Sequence, residues 1–115
     1  MFHITPQHKI FIAVQSIDFR SGIDGIAAIC QHQYRLDPKS GHVFLFHNRH
    51  KNAIKILVYD SQGFWLCHKR LSSGKFKYLP KTADSILTLT FEQLKMLIYN
   101  NDANDSSKTF HIRPP

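Results

Sequence analysis

The chain has 115 residues with 15 Lys and Arg against 8 Asp and Glu, a formal charge of +7. That length holds one hydrophobic core and is too short for two ordinary domains, while 43% apolar residues exclude a disordered basic tail. No apolar run approaches the ~20 residues a membrane-spanning helix requires.

The opening residues, MFHITPQHK, lack the basic start and apolar stretch of a secretory signal, and Cys30 and Cys67 are too few for a disulfide framework. A reduced, cytoplasmic protein is the expectation. From Arg35 to Lys81 ten cations stand against two acids, a balance of +8, whereas the rest of the chain holds five cations and six acids. Such a stretch is either a solvated face or a surface for anions.

In chain order, the β-branched run 9–14 predicts a first strand. Phe19, Ile23, Ile26 and Cys30 recur at helical spacing, predicting a helix to about Tyr34 with Asp18 or Ser21 as its cap. Gly22 and Gly25 each cost that helix about 1 kcal/mol relative to Ala, which predicts a close approach to its backbone. Asp37–Gly41 has turn composition, Val43–His47 reads as a strand and Asn48–Ala53 as a polar, basic loop. Ile54–Asp60 and Phe64–Leu71 form a predicted hairpin that sets Tyr59 opposite Phe64. One hairpin face then carries Ile54, Ile56, Val58, Trp65, Cys67 and Leu71. The other carries Lys55, Leu57, Tyr59, Phe64, Leu66, His68 and Arg70.

After a turn at Ser72–Gly74, Lys75–Tyr78 alternates cations with aromatics, as a short strand does. Ile86–Leu89 is a further strand, and Thr90 with Gln93 has the form of a capping box for a second helix whose stripe is Phe91, Leu94, Leu97 and Ile98. These elements predict one small α+β domain over residues 1–100, a mainly antiparallel sheet with two helices. Residues 101–115 read as a flexible polar tail.

Three chemistries compete. Cations on loops suit phosphate contacts, which supply affinity without reading sequence. The set is Arg49, Lys51, Lys55, Lys69, Arg70, Lys75 and Lys77, with Phe76 and Tyr78 assigned to the core. Arg20 joins it as a polar residue at the head of a helix, or else pairs with Asp18 or Asp24. His47, His50, Cys67 and His68 supply enough donors for zinc, but without a Cys-x-x-Cys spacing, so no metal or cofactor is expected. Asp18, Asp60 and Glu92 follow the order of a two-metal carboxylate site. Each has a local explanation, as helix cap, turn former and first-turn acid, so no catalytic residue is assigned.

The segments Ile17–Ala28, Val43–Arg49, Lys55–Leu57, Tyr59–Leu66, Lys69–Pro80 and Leu87–Leu94 together resemble the TnpB accessory proteins of the IS66 class of bacterial insertion sequences. The resemblance covers nearly all of residues 9–99. It implies a non-enzymatic factor that assists transposition, with a separate transposase carrying the catalytic acids. DNA of the element is then the expected partner of the cations, within or beside a transposase complex. The alternative is an interaction module that docks on the transposase without touching DNA.

Overall fold

The computed structural model describes residues 3–100; the predicted tail, 101–115, lies outside them. Five strands and two helices follow in the order β1 (Ile10–Ala13), α1 (Ile23–His32), β2 (Val43–His47), β3 (Ala53–Tyr59), β4 (Phe64–Arg70), β5 (Ile86–Leu89) and α2 (Phe91–Tyr99). The strands make one sheet in the order β4-β3-β2-β1-β5. It is an α+β domain whose sheet is mostly antiparallel: β1 and β2 run parallel through the α1 crossover, and the other neighbours oppose each other.

Alternation along the strands divides the interior into two cores, one per sheet face. Ile10, Ile12, Val43, Leu45, Ile54, Ile56 and Val58 meet Leu94, Leu97 and Ile98 of α2. Phe11, Phe44, Phe46 and Leu57 meet Ile26 and Cys30 of α1 on the opposite face. Phe44 and Phe46 are each 1% exposed, and such burial contributes about 2–3 kcal/mol per ring. Because both faces are covered, β2 and β3 are buried along almost their whole length and are apolar except at His47 and Lys55.

The hairpin pairs as predicted, Tyr59 opposite Phe64 through to Ala53 opposite Arg70. Thr90 caps α2 with the reciprocal bonds of a capping box, Gln93 N to its hydroxyl (3.1 Å) and its own N to Gln93 Oε1 (2.8 Å).

Two expectations need correction. First, α1 starts at Ile23, and neither Asp18 nor Ser21 caps it; the N-cap is Gly22, with no side-chain cap bond. The Asp18 carboxylate instead accepts from Arg20 N (2.9 Å) and from the Arg20 guanidinium, so it closes the turn before the helix. Phe19 therefore packs from that turn onto the α1-side core. The close approach expected of the glycines occurs at Gly25, where a Cβ would lie 3.2 Å from Ser21 Cβ; Gly22 has open space.

Second, Lys75–Tyr78 is not a strand. Its backbone goes elsewhere: Phe76 N donates to Lys51 O (2.8 Å), Lys77 N to Asn100 Oδ1 (2.7 Å), and Asn100 Nδ2 to Lys75 O (3.0 Å). Phe76 is a core residue at 4% exposure, and Tyr78 packs against the same core.

Candidate nucleic-acid interface

The turn between β2 and β3 organises the basic end of the molecule. Asn48 Oδ1 accepts from Asn52 N (3.0 Å) and Ala53 N (3.1 Å), and Asn48 Nδ2 donates to Asn52 Oδ1 (2.6 Å). Lys51 N closes back on Asn48 O (3.1 Å), with Lys51 in the left-handed region at φ 60°. Asn is a turn former because its side chain bonds nearby backbone in this way. The clasp leaves Arg49 and His50 exposed and Lys51 half-buried.

The chain returns to this turn twice. Leu71 N donates to Asn52 O (2.8 Å), which places Arg70, opposite Ala53, beside the turn. Phe76 N bonds Lys51 O, so Lys75 and Lys77 flank the same place. Asn100, a left-handed C-cap of α2 at φ 56°, ties the Lys75–Lys77 backbone down from below. Ile17 N donates to His47 O (3.0 Å), bringing the approach to α1 to this end as well. Arg49, Lys51, Arg70, Lys75 and Lys77 are thus gathered at one end of the sheet. Among the described residues, no carboxylate lies within ion-pair distance of Arg49, Lys51, Arg70 or Lys75.

The remaining cations of the predicted set have other tasks. Lys55 is 7% exposed, and its ammonium donates to Phe19 O (2.8 Å) and Ser21 O (3.0 Å) while lying over the Phe19 ring. It fastens the turn before α1 to the sheet. Lys69, on the other face, donates to Ile98 O (2.6 Å) over the Tyr99 ring. The last turn of α2 has no basic residue of its own, so Lys69 supplies the cation that a helix C-terminus favours. Burial lowers the Lys69 ammonium below its ordinary value. Arg20 pairs with Asp18, Nη2 to Oδ2 at 2.6 Å, and holds that carboxyl down at about 2.

Sequence reasoning missed both fasteners and the Asn48–Asn52 clasp. For Lys55 a signal existed, a cation within β3 on a hairpin face that is apolar at Leu57, Tyr59, Phe64 and Leu66. For the clasp it was the pair of asparagines bracketing Arg49–Lys51.

The metal donors do not come together: Cys67 and His68 point to opposite faces of β4. Both His47 ring nitrogens face carbonyl oxygens, of Asn48 (3.0 Å) and Val14 (2.9 Å). Burial raises the Cys67 thiol, and it pushes Cys30 up to about 12. Asp60 accepts from Trp65 Nε1 (2.8 Å), Gln62 N and Gly63 N, bonds that hold its carboxyl low within the hairpin turn. Glu92 stands in the first turn of α2 and pairs with Lys95. Among the described residues, no three of His, Cys, Asp and Glu cluster to hold a metal, and no helix is long and apolar enough to cross a membrane.

The fold and this end of it define a small basic α+β protein that presents a group of cations at one end of its sheet. The model of the family described as IS66 Orf2 like protein matches residues 8–108, and the chain belongs to that family. It is 31% identical over 94 residues to "Uncharacterized protein y4jC" of Sinorhizobium fredii, covering 82% of this chain and 80% of that protein. "Uncharacterized protein y4hO" of the same organism is 28% identical over 102 residues, 89% of this chain and 88% of its own length. No solved structure matches.

Proposed function

We propose that this accessory protein of an insertion sequence assists transposition by holding DNA of the element through phosphate contacts at the β2–β3 end of the sheet. Its family ties it to transposition in a non-catalytic, accessory capacity. The observation that carries the DNA reading is the gathering of Arg49, Lys51, Arg70 and Lys75 around one turn, with no neutralising carboxylate among the described residues.

The contact set is narrower than the sequence suggests. Lys55 and Lys69 are occupied by main-chain carbonyls, and the Arg20 guanidinium already faces a carboxylate. Arg49, Lys51, Arg70 and Lys75 are the phosphate contacts, with Lys77 beside them. The Asn48 clasp fixes the turn before DNA arrives, which reduces the ordering cost of binding. No recognition helix enters a groove in this reading, so affinity is insensitive to base sequence and steeply dependent on salt.

The test is a salt titration of binding to duplex DNA carrying an element end. Each of Arg49→Ala, Arg70→Ala and Lys75→Ala is expected to lower the log–log salt slope by about 0.9. If neither duplex nor single strand is held at low salt while the transposase is, the DNA reading fails. The surface then belongs to a protein-docking module.

A further inference from the structure

The open margin of β4 has a pattern that fits a second copy of the same strand. Leu71 N donates to Asn52 O (2.8 Å) at one end of the hairpin and Asp60 N to Gly63 O (3.0 Å) at the other. Antiparallel pairs alternate between hydrogen-bonded and non-hydrogen-bonded, so Trp65, Cys67 and Lys69 turn their N–H and C=O groups towards β3. Phe64, Leu66, His68 and Arg70 point theirs away from the sheet. β4 is a border strand, and among the described residues no hydrogen bond reaches those outward groups.

Border strands are ordinarily guarded by proline, a bulge or a central charge. This one has none of these. Its 7 residues pair with β3 without interruption, and Trp65, Leu66 and Cys67 are half-buried along it. The cations Lys69 and Arg70 stand at one end and the aromatics Phe64 and Trp65 at the other.

We infer that the protein forms a two-fold dimer in which β4 pairs antiparallel with β4 of a second copy, giving one continuous sheet across both. The register follows from the strand itself. With Cys67 on the axis, His68 pairs with Leu66 of the second copy and Arg70 with its Phe64. Every outward N–H and C=O of the strand then finds a partner. Lys69 falls opposite Trp65 of the second copy, on the α2 side. A parallel, in-register pairing would set Arg70 beside Arg70, and like charges directly opposite are destabilising. Antiparallel pairing separates the two basic ends and sets Lys69 and Arg70 of each copy against Trp65 and Phe64 of the other, a cation-on-aromatic complementarity that favours a second copy as occupant.

The axis gives a chemical readout. Cys67 and its counterpart form a non-hydrogen-bonded pair with Cα atoms about 4.5 Å apart, inside the ~4.4–6.8 Å range of disulfides. Cys30, at 1% exposure, cannot substitute. In sedimentation equilibrium the full chain is expected to approach twice 13.4 kDa as its concentration rises to about 100 µM. His68→Pro deletes an outward N–H without touching the β3 ladder and is expected to weaken dimerisation at least about tenfold. Copper–phenanthroline with dioxygen supplies a second measurement that does not depend on that variant folding. Two Cys67 thiols join as one disulfide, their two electrons passing through copper to dioxygen and their protons to solvent. The covalent dimer is expected in Cys30→Ser and absent in Cys67→Ser. A monomer throughout the concentration range, a dimer of unchanged affinity in folded His68→Pro, or a dimer that Cys67 does not cross-link overturns the inference. Pairing of this margin with a transposase segment or with residues 101–115 instead would appear as one of those results.

Discussion

Lys55→Met separates cations that build the protein from cations that contact its partner. Methionine keeps most of the buried stem and removes the ammonium, so the variant deletes the bonds to Phe19 O and Ser21 O and the charge over the Phe19 ring. A hydrogen bond from a charged donor contributes about 1.5–3 kcal/mol, and the ring contact about 0.5–1 kcal/mol. Relief of the desolvation of a nearly buried charge offsets part of this loss. Water reaching the half-buried Phe19–Ser21 turn offsets more. The net loss is about 2–3 kcal/mol, a fall in Tm of roughly 10–15 °C for a domain of this size. Urea unfolding followed by the single tryptophan, Trp65, measures it. The salt slope of DNA binding in the folded variant is expected to stay at the wild-type value. A stability loss below about 0.5 kcal/mol, with a slope reduced by about 0.9, would refute the assignment and return Lys55 to the contact set.

Lys69→Met removes the cation at the C-terminus of α2 and the bond to Ile98 O; a loss of about 1–2 kcal/mol is expected in the same urea assay, again with an unchanged salt slope. Thr90→Ala breaks the capping box and should cost about 1 kcal/mol, whereas Thr90→Ser should cost much less. Burial first, then Lys55 and Arg70, lower the His68 pKa below its ordinary 6.5. The unfolded chain therefore binds a proton more readily there, and stability falls as pH drops through 6.5 towards the folded value, then levels off. Proton NMR of the imidazole checks this. Arg70→Ala is expected to raise the His68 value, and so is a polyanion bound at this end of the sheet.

The hairpin was legible because its signals are local: an even loop at Asp60–Gly63 and a strict alternation fix which side chains share a face. The capping box at Thr90 was legible for the same reason, since its partners lie three residues apart. Three features were not. The parallel pairing of β1 with β2 joins strands separated by a helix, and no pattern within either strand names its neighbour. The start of α1 was misplaced because Asp18 has two candidate partners, free helix N–H groups and the Arg20 guanidinium, and the ion pair prevails. Lys75–Tyr78 alternates as a strand would, yet Lys51 O and Asn100 Oδ1, both distant in sequence, take its N–H groups. The basic end was legible as composition but not as a set. Loop positions pointed to Arg49, Lys51 and Lys75, while the withdrawal of Lys55 and Lys69 depends on carbonyls 36 and 29 residues away.

The position of β1 between β2 and β5 bears on synthesis of the chain. Its β2 neighbour emerges soon after it, but the other does not exist until Ile86–Leu89 has left the ribosome. Until then Ile10–Ala13 has one bare flank, and translation halted before that point would release a sticky, incomplete sheet. A strand synthesised late thus seals one synthesised roughly 75 residues earlier.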